Sequence, residues 1–497
     1  MGLFHIFLTS VWLTFKTIPK EKQLLLLPIG FIFLHVLRER LELRPEIFSF
    51  LFTAITYFIL EGFIKNHPVT SSRAKRGDPS FEIASSLESP LDSLPPRNDG
   101  WRLIYLLPFI QLVWINTHIY FFIGLILQAI FLSHLWLNHL RSQSSIGKAR
   151  TLPIIFILSI LISLINPNGL AGFLYPLNVT KNYGYSIVEN QTMFLLESIN
   201  FKNPNFLFVK LSLGLIALSI LMAFIKRQFI LKNILISILG AALALLNVRS
   251  FPYLVFLSLP ATVISFSLLK VPKIVANLML TIFTAMLLLQ SFSYLNGEYY
   301  KSHDSDFSAG LSLVEKGKEA LDFLIKNDLP NPIFNNFDIG SYIIYRGYPK
   351  YQVFVDGRPE AFPKEFFAST YIPMQSDYSK FQTEEQKIGF KTVIFSHTDQ
   401  TPWARNFLQS IVKDEFWKIV YLDDFIIILV KNDVLTEKKL IPISLSSLSP
   451  NMYNYNNHVS YLRIGYFLLT TQNIISGKSF LEKTAQIYPN SPTLKVF

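Results

Sequence analysis

Long apolar runs separated by short polar turns fill the chain up to about residue 295. A helix needs about 20 mostly apolar residues to cross a bilayer, because lipid cannot satisfy unpaired backbone groups. The pattern predicts about ten membrane-spanning helices within a transmembrane domain of residues 1–299. They cover residues 3–15, 23–37, 47–64, 103–115, 119–140, 152–165, 206–225, 229–246, 251–269 and 271–295.

Beyond residue 299 the pattern changes to short elements separated by turn signals. Strands alternate with helices, which is typical of a small α/β domain, and we assign residues 300–435 to it. We expect parallel strand pairs and one antiparallel edge hairpin. The predicted strands are 332–335, 352–355, 392–396, 418–422 and 425–431, and the predicted helices are 311–326, 339–346, 363–371 and 402–414.

The tail, residues 450–497, is predicted to be helical again. Its two helices, 453–472 and 475–488, look like one tetratricopeptide-type pair. A single pair cannot bury its apolar face alone, so we expect it to dock on the α/β domain. The predicted fold is therefore a polytopic α-helical membrane protein with a C-terminal soluble α/β domain and a short tetratricopeptide-like helix pair.

Composition supports a membrane protein, since 51% of the residues are hydrophobic, 16% are charged and none is cysteine. The net charge of +11 could suggest nucleic acid. The cations, however, cluster between apolar runs, as juxtamembrane residues do, so we predict membrane lipid and no nucleic acid as a partner. The positive-inside rule then predicts that the C-terminal domain is extracytoplasmic. The one exception is 38–46, whose arginines fall outside, although Glu39, Glu42 and Glu46 neutralise them. These arginines argue either for a ligand or for an error in the number of early spans.

Residues 64–100 differ in composition from everything around them, being polar and rich in Ser, Pro and charge. This composition predicts a disordered cytoplasmic insertion. The pieces 71–79 and 96–100 look like the two ends of a translated interspersed repeat that is common in bacterial genomes. We therefore expect no chemistry in this segment.

Candidate chemistry in the membrane domain lies in turns that are predicted to face outward. Asn116 and His118 form the tip of a helical hairpin, and Asn166 begins an Asn-Pro-Asn-Gly turn. Arg249 stands on a nearly uncharged rim, and its planar fork suits a phosphate. The simpler alternatives are a plain turn for the hairpin tip and a snorkelling side chain for Arg249.

In the α/β domain, polar side chains follow the first two predicted strands. Asn335 ends one strand and is followed by Asn336 and Asp338, and Asp356 and Arg358 follow the other strand. Because ligands sit beyond the carboxyl ends of such strands, these residues could meet in one crevice and bind sugar hydroxyls, a metal or one another. The alternative is a turn clamp between Asp356 and Arg358. No phosphate-binding glycine loop, Ser-His-Asp arrangement or His-rich metal spacing is present, so we predict no metal site.

Several motifs together resemble a group of largely uncharacterised bacterial multi-pass proteins that look like relatives of the GT-C glycosyltransferase superfamily. They are LRPEIFS at 43–49, WINTH at 114–118, NPNG at 166–169, NVRSFP at 247–252 and VDGR at 355–358. The resemblance implies a protein of the bacterial inner (cytoplasmic) membrane that transfers a sugar from a polyprenyl-phosphate donor to an extracytoplasmic glycan or protein acceptor. It implies that Arg249 and Arg44 hold the phosphate, that Asn116 and His118 line the site, and that the α/β domain contacts the acceptor through Asp338, Asp356 and Arg358.

The chain departs from this family in one respect. GT-C enzymes are expected to carry an acidic residue in the first extracytoplasmic loop, as a base or as a ligand to a divalent metal ion at the lipid phosphate. This chain has no Asp or Glu before Glu21, which is predicted to lie inside. We therefore expect an amino-terminally truncated member, with no catalytic residue assigned and a divalent metal ion as the only candidate cofactor. The alternative function is a non-catalytic envelope protein that anchors a glycan- or protein-binding α/β domain, and a transporter is the third.

Overall fold

A computed structural model describes residues 2–19, 26–38, 44–65, 100–142, 150–182, 184–199, 203–228, 230–269, 271–309 and 315–496. Nearly all of the predicted insertion, 64–100, lies outside these described residues. The chain forms two compact units. The first unit comprises Met1–Lys181 and Ser186–Leu287, and the second comprises Asn182–Tyr185 and Leu288–Phe497.

The first unit is built from apolar helices. They are Gly2–Lys16, Leu26–Val36, Glu46–Lys65, Leu107–Ile115, Phe122–Ser142, Thr151–Ile162, Gly169–Asn182, Met193–Ser198, Asn205–Ile225, Leu231–Leu246, Phe251–Phe266 and the start of Lys273–Leu295. In the described part of the chain, five stretches are long and apolar enough to cross a membrane: Glu46–Lys65, Ile119–Leu140, Asn205–Ile225, Val248–Phe266 and Lys273–Leu295. Four further apolar helices are shorter, so the number of ten spans stays a prediction.

Helix Phe251–Phe266 forms the core of the first unit. It is buried without interruption from Phe251 to Val263, as expected of a helix that is apolar on all sides. Its Tyr253 and Phe256 rings pack against Phe50, with ring centroids 5.4 Å apart in both pairs. Gly240 of helix Leu231–Leu246 permits a close crossing, because a Cβ there would lie 2.3 Å from Ser258 Oγ.

The second unit contains a four-stranded sheet in the order β1-β2-β4-β3. The strands are β1 (Ile333–Asn335), β2 (Thr392–Ser396), β3 (Trp417–Leu422) and β4 (Ile426–Lys431). β1 pairs parallel with β2, while β2 with β4 and β3 with β4 are antiparallel. The helices of this unit include Lys318–Lys326, Phe337–Gly347, Ile372–Ser376, Tyr378–Ile388, Pro402–Ile411 and Asn432–Glu437.

The predicted strand at 352–355 is wrong, because these residues form no strand. The buried side chain of Asn335 takes the place of a backbone ladder here. Its Nδ2 donates to the Val355 carbonyl at 2.8 Å, and its Oδ1 accepts from the Phe354 N–H at 2.9 Å. The Asn335 amide thus satisfies the backbone groups that a neighbouring strand would otherwise satisfy. Among the described strands, β1 and β2 are therefore the only parallel pair, where the sequence predicted more than one.

The tail forms two helices, His458–Thr470 and Ile474–Ile487, within the second unit. It is joined to the rest of that unit by hydrogen bonds from Gln409 Nε2 to the Thr470 carbonyl at 2.9 Å and from Ser460 Oγ to Asp424 at 2.6 Å. The pair is therefore docked on the α/β part, while its tetratricopeptide character stays a prediction.

Candidate functional site

Four charged side chains of the first unit meet where long apolar helices begin. Arg44 and Glu46 stand at the start of helix Glu46–Lys65, and Arg249 lies in the turn Val248–Ser250 that leads into helix Phe251–Phe266. Glu189 lies in the turn Val188–Asn190. We call these four residues the arginine–glutamate cluster.

Ion pairs connect the four residues across long sequence separations. Arg44 Nη1 lies 2.7 Å from Glu189 Oε1. Arg249 Nε lies 3.4 Å from Glu46 Oε2 and 4.0 Å from Glu189 Oε2. Glu46 is only 3% exposed. Its carboxylate is therefore almost inaccessible to solvent, so an ion-pair partner such as Arg249 must stabilise its negative charge.

A hydrogen-bonded frame holds the turns of the cluster in place. The Val248 N–H donates to the Gln191 carbonyl at 3.0 Å, which joins the turns that carry Arg249 and Glu189. Asn247 Oδ1 accepts from the Ser250 N–H at 2.9 Å, and Ser250 Oγ lies 2.6 Å from Tyr120 Oη. The turn that presents Arg249 is thus fixed before the helix starts.

His118 lies beside this frame, ahead of helix Phe122–Ser142. Its Nδ1 is 2.8 Å from Ser49 Oγ, which also accepts a hydrogen bond from Trp114 Nε1 at 2.7 Å. Burial, and to a lesser extent the charge of Arg249, lowers the pKa of His118 to about 4. His118 is therefore neutral at physiological pH and lines the site without adding positive charge.

Helix N-termini supply positive potential at the cluster, whose two arginines and two glutamates have a formal charge sum of zero. The first turns of helices Glu46–Lys65, Phe122–Ser142 and Phe251–Phe266 meet here, and helix N-termini carry partial positive charge. Arg249 is one-third exposed. Among the described residues, Arg249 donates a hydrogen bond through Nε only. Its terminal guanidinium nitrogens, Nη1 and Nη2, can therefore donate to a further acceptor such as an anion.

The structure brings together Arg44, His118 and Arg249 among the predicted site residues. Asn116 and Asn166 instead serve their own turns. Asn116 Nδ2 donates to the Leu112 and Ile165 carbonyls, both at 2.9 Å, and Asn166 Nδ2 donates to the Gly169 carbonyl at the same distance. Their amides hold two neighbouring chain turns together.

Sequence reasoning missed Glu46. It counted this residue as a neutraliser of nearby arginines, since an acid at the start of a helix is an ordinary N-terminal feature. The contact between Glu46 and Arg249 spans 203 residues, and no local pattern could reveal it.

In the second unit, Asp338 and Asp356 lie in different environments. Asp338 is exposed in the first turn of helix Phe337–Gly347. The protein atoms crowded around its carboxyl, together with the charge of Asp399, raise its pKa to about 6. Asn336 Nδ2 also donates to Asp399 Oδ2 at 3.3 Å. Asp399, which sequence reasoning did not select, therefore belongs to the surroundings of Asp338.

Asp356 and Arg358 bind each other. Arg358 Nε donates to Asp356 Oδ1 at 2.9 Å, Nη2 donates to Oδ2 at 2.6 Å, and the Arg358 N–H donates to Oδ1 at 3.0 Å. Hydrogen bonding to Arg358 lowers the pKa of the Asp356 carboxyl. This geometry is the turn clamp that the sequence offered as the simpler interpretation.

A metal ion does not fit the residues of the cluster. Among the residues that the structure describes, no group of three or more His, Asp or Glu side chains is placed to hold one. Glu46 and Glu189 are each paired with arginine.

No family model and no curated protein matches the sequence. Among solved structures, the chain is similar to the archaeal oligosaccharyltransferase AglB from Archaeoglobus fulgidus, which was solved with an inhibitory peptide and a dolichol-phosphate. The likeness covers 93% of this chain and 74% of that chain, at 12% sequence identity and a TM-score of 0.39. At that distance it transfers neither an activity nor a ligand to this chain.

Proposed function

We propose that this chain is a membrane glycosyltransferase-like protein that moves a sugar from a polyprenyl-phosphate donor to an extracytoplasmic glycan or protein acceptor. The observation that supports this proposal is the meeting of two arginines, one buried glutamate and three helix N-termini in the first unit. The apolar helices that begin there would lie alongside the polyprenyl chain. The cluster would then face the outer side of a bacterial inner membrane.

Arg249 and Arg44 would hold the donor phosphate. A guanidinium fork makes two parallel hydrogen bonds to a phosphate, and helix N-termini add attraction for the anion. Arg249 meets Glu46 at 3.4 Å, a long distance for a charge-assisted hydrogen bond. A phosphate would therefore compete well for Arg249.

Glu46 would act as the general base once the phosphate has taken its arginine. In the transfer step the bond between the sugar C1 and the phosphate oxygen breaks, and polyprenyl phosphate leaves. The acceptor heteroatom bonds to C1, and its proton passes to the Glu46 carboxylate. Glu46 is a buried carboxylate 3.4 Å from Arg249, so it would lie close to the phosphate that Arg249 holds and to the acceptor proton that is released there.

Acceptor recognition would fall to the second unit. Asp338 with Asp399 is the part of that unit that best suits sugar hydroxyls or an amide, because the Asp338 carboxyl is exposed. Asp356 and Arg358 use their hydrogen bonds on each other, so they would shape the turn and contact the acceptor only through the outer edge of Arg358.

The proposal is tested by label transfer from a radiolabelled polyprenyl-phosphate sugar in membranes that carry the full chain. Arg249→Ala and Glu46→Gln are each expected to lower transfer at least about 100-fold. Arg150→Gln removes an exposed arginine at the start of helix Thr151–Ile162, outside the cluster, and is expected to leave transfer unchanged. Donor binding without transfer by the wild-type chain would contradict the enzyme and favour the anchored binding protein.

A further inference from the structure

A cavity opens between three helices of the first unit, far from the arginine–glutamate cluster. Its volume is about 120 Å³, which is room for several waters or for a small polar group. It is lined by the end of Asn205–Ile225, the start of Leu231–Leu246 and the end of Phe251–Phe266. The last of these helices begins beside Arg249 and has 16 residues, a rise of about 24 Å. The cavity and the cluster thus lie at opposite ends of one helix.

The wall of the cavity is polar for a site among apolar helices. Ser219, Gln228, Asn233, Ser237 and Ser265 all face it. Asn233 is 6% exposed, and its Oδ1 has no hydrogen-bond partner within the described ranges. A buried amide oxygen without a donor costs about 1–3 kcal/mol. The cavity therefore favours an occupant that donates a hydrogen bond.

The chain around the lining residue Gln228 has two further features. Lys226 and Arg227 directly precede Gln228 and are exposed, so cations stand next to a lining residue. Phe224, Ile225 and Ile230 are exposed apolar side chains on the same stretch. Cations suit a phosphate at a membrane surface, and an exposed apolar face suits an acyl chain.

We propose that this cavity binds the head group of a phospholipid that donates hydrogen bonds, such as a phosphoethanolamine or phosphoglycerol group. The head group's ammonium or hydroxyl donates to Asn233 Oδ1, the phosphate lies near Lys226 and Arg227, and the acyl chains follow the exposed apolar side chains. A soluble glycerophosphodiester offers the same polar chemistry without acyl chains. This site is independent of the proposed transfer reaction.

The test is lipid retention by the full-length chain, measured by native mass spectrometry after incubation with equal amounts of phosphatidylethanolamine, phosphatidylglycerol and phosphatidylcholine. Phosphocholine carries the phosphate but no donor. The wild-type chain is expected to retain each of the other two lipids about tenfold better. Asn233→Leu removes the acceptor, and Ser265→Leu fills the cavity, so each is expected to abolish the preference.

Ser212→Ala is the matched control, because Ser212 is a buried hydroxyl of helix Asn205–Ile225 whose Oγ, like Asn233 Oδ1, has no partner in the described chain. It does not line the cavity and should leave the preference intact. Soluble glycerophosphoethanolamine at millimolar concentration should not displace the lipid, and displacement would show that the occupant is soluble. Equal retention of the three lipids, a preference unchanged in both cavity variants, or a preference lost in Ser212→Ala would overturn the proposal.

Discussion

At the scale of single residues, the partner of a carboxylate decides what the carboxylate does. Asp338 faces Asp399 and has a pKa raised to about 6 by its crowded surroundings and that charge. Asp356 is bound by Arg358, which lowers its pKa. The protein thus disfavours the ionised form of the aspartate at position 338 and favours the ionised form at position 356.

Asp338→Asn should stabilise the protein, and the gain should depend on pH. The pKa of Asp338 is higher in the folded chain than the ordinary value of 3.8, so the folded state retains its proton longer than the unfolded state does. The contribution of Asp338 to the free energy of unfolding therefore falls as the pH rises from about 4 to about 6 and is constant above that range. Because the carboxyl is solvent-exposed, we expect the gain at pH 7.5 to be about 1 kcal/mol. Denaturant unfolding of the full chain at pH 5 and pH 7.5 measures it.

Asp356→Asn is the control for this experiment. Its carboxyl is ionised in both states at both pH values, since its pKa in the folded chain lies below the ordinary value. The variant should lose stability by the same amount at pH 5 and pH 7.5. A gain for Asp338→Asn that is equal at the two pH values would refute the raised pKa.

Charged residues in turns were predictable one by one, but their grouping was not. Arg44 stands out because cations are unexpected in a loop predicted to face outward, and His118 and Arg249 stand out because their turns carry few other charges. Glu46 does not stand out, since its partner Arg249 is 203 residues away. Only the packing of the helices shows that these side chains share a site.

At the scale of elements, side chains replace backbone interactions at two places in the second unit. Asn335 bonds the segment 352–355 through its amide. Tyr371 Oη accepts from the Phe337 N–H at 2.7 Å, at the start of a helix whose N-cap residue, Asn336, makes no side-chain cap. The hydrophobic pattern of a strand or helix does not show where a side chain takes the place of a backbone hydrogen bond. For this reason the strand at 352–355 was wrongly predicted, whereas β2, which pairs through its backbone, was predicted with the correct bounds.

Asn335→Leu should destabilise the protein by about 3 kcal/mol. The change keeps a similar volume but leaves the buried Val355 carbonyl and Phe354 N–H without their partners. Asn331→Leu is the control, because Asn331 is an exposed asparagine whose side chain also meets backbone groups, at Lys350 and Gln352. It should cost less than about 1 kcal/mol, and equal losses in thermal unfolding would contradict the role given to Asn335.

Gly240→Val should disrupt the packing of the first unit. An added Cβ would meet Ser258 Oγ at 2.3 Å and Leu257 Cβ at 3.3 Å, so helices Leu231–Leu246 and Phe251–Phe266 would have to separate. Gly214→Val places the same side chain on helix Asn205–Ile225 with nothing within 4 Å. We expect the first variant to lower the unfolding temperature by several degrees and the second to leave it unchanged, and the opposite order would contradict this packing.

At the scale of the whole molecule, apolar sequence serves two different purposes. Helix Phe251–Phe266 is buried over most of its length, whereas helix Lys273–Leu295 has one buried residue, Ala276. The sequence predicts a membrane span for both helices, because hydropathy measures how unfavourable contact with water is. It does not show whether an apolar side chain contacts protein or lipid instead. The division into an apolar and a mixed half was therefore predictable, and the central position of one helix was not.

The affinity of the full-length chain in nanodiscs for a labelled polyprenyl phosphate shows whether the arginine–glutamate cluster binds a lipid-linked phosphate. Arg249→Gln should weaken binding at least about tenfold, because the bidentate fork is lost. Arg150→Gln should bind as the wild-type chain does, and Glu46→Gln should bind at least as tightly, since it removes a competing carboxylate. Binding by Arg249→Gln with wild-type affinity would exclude Arg249 as the residue that holds the phosphate.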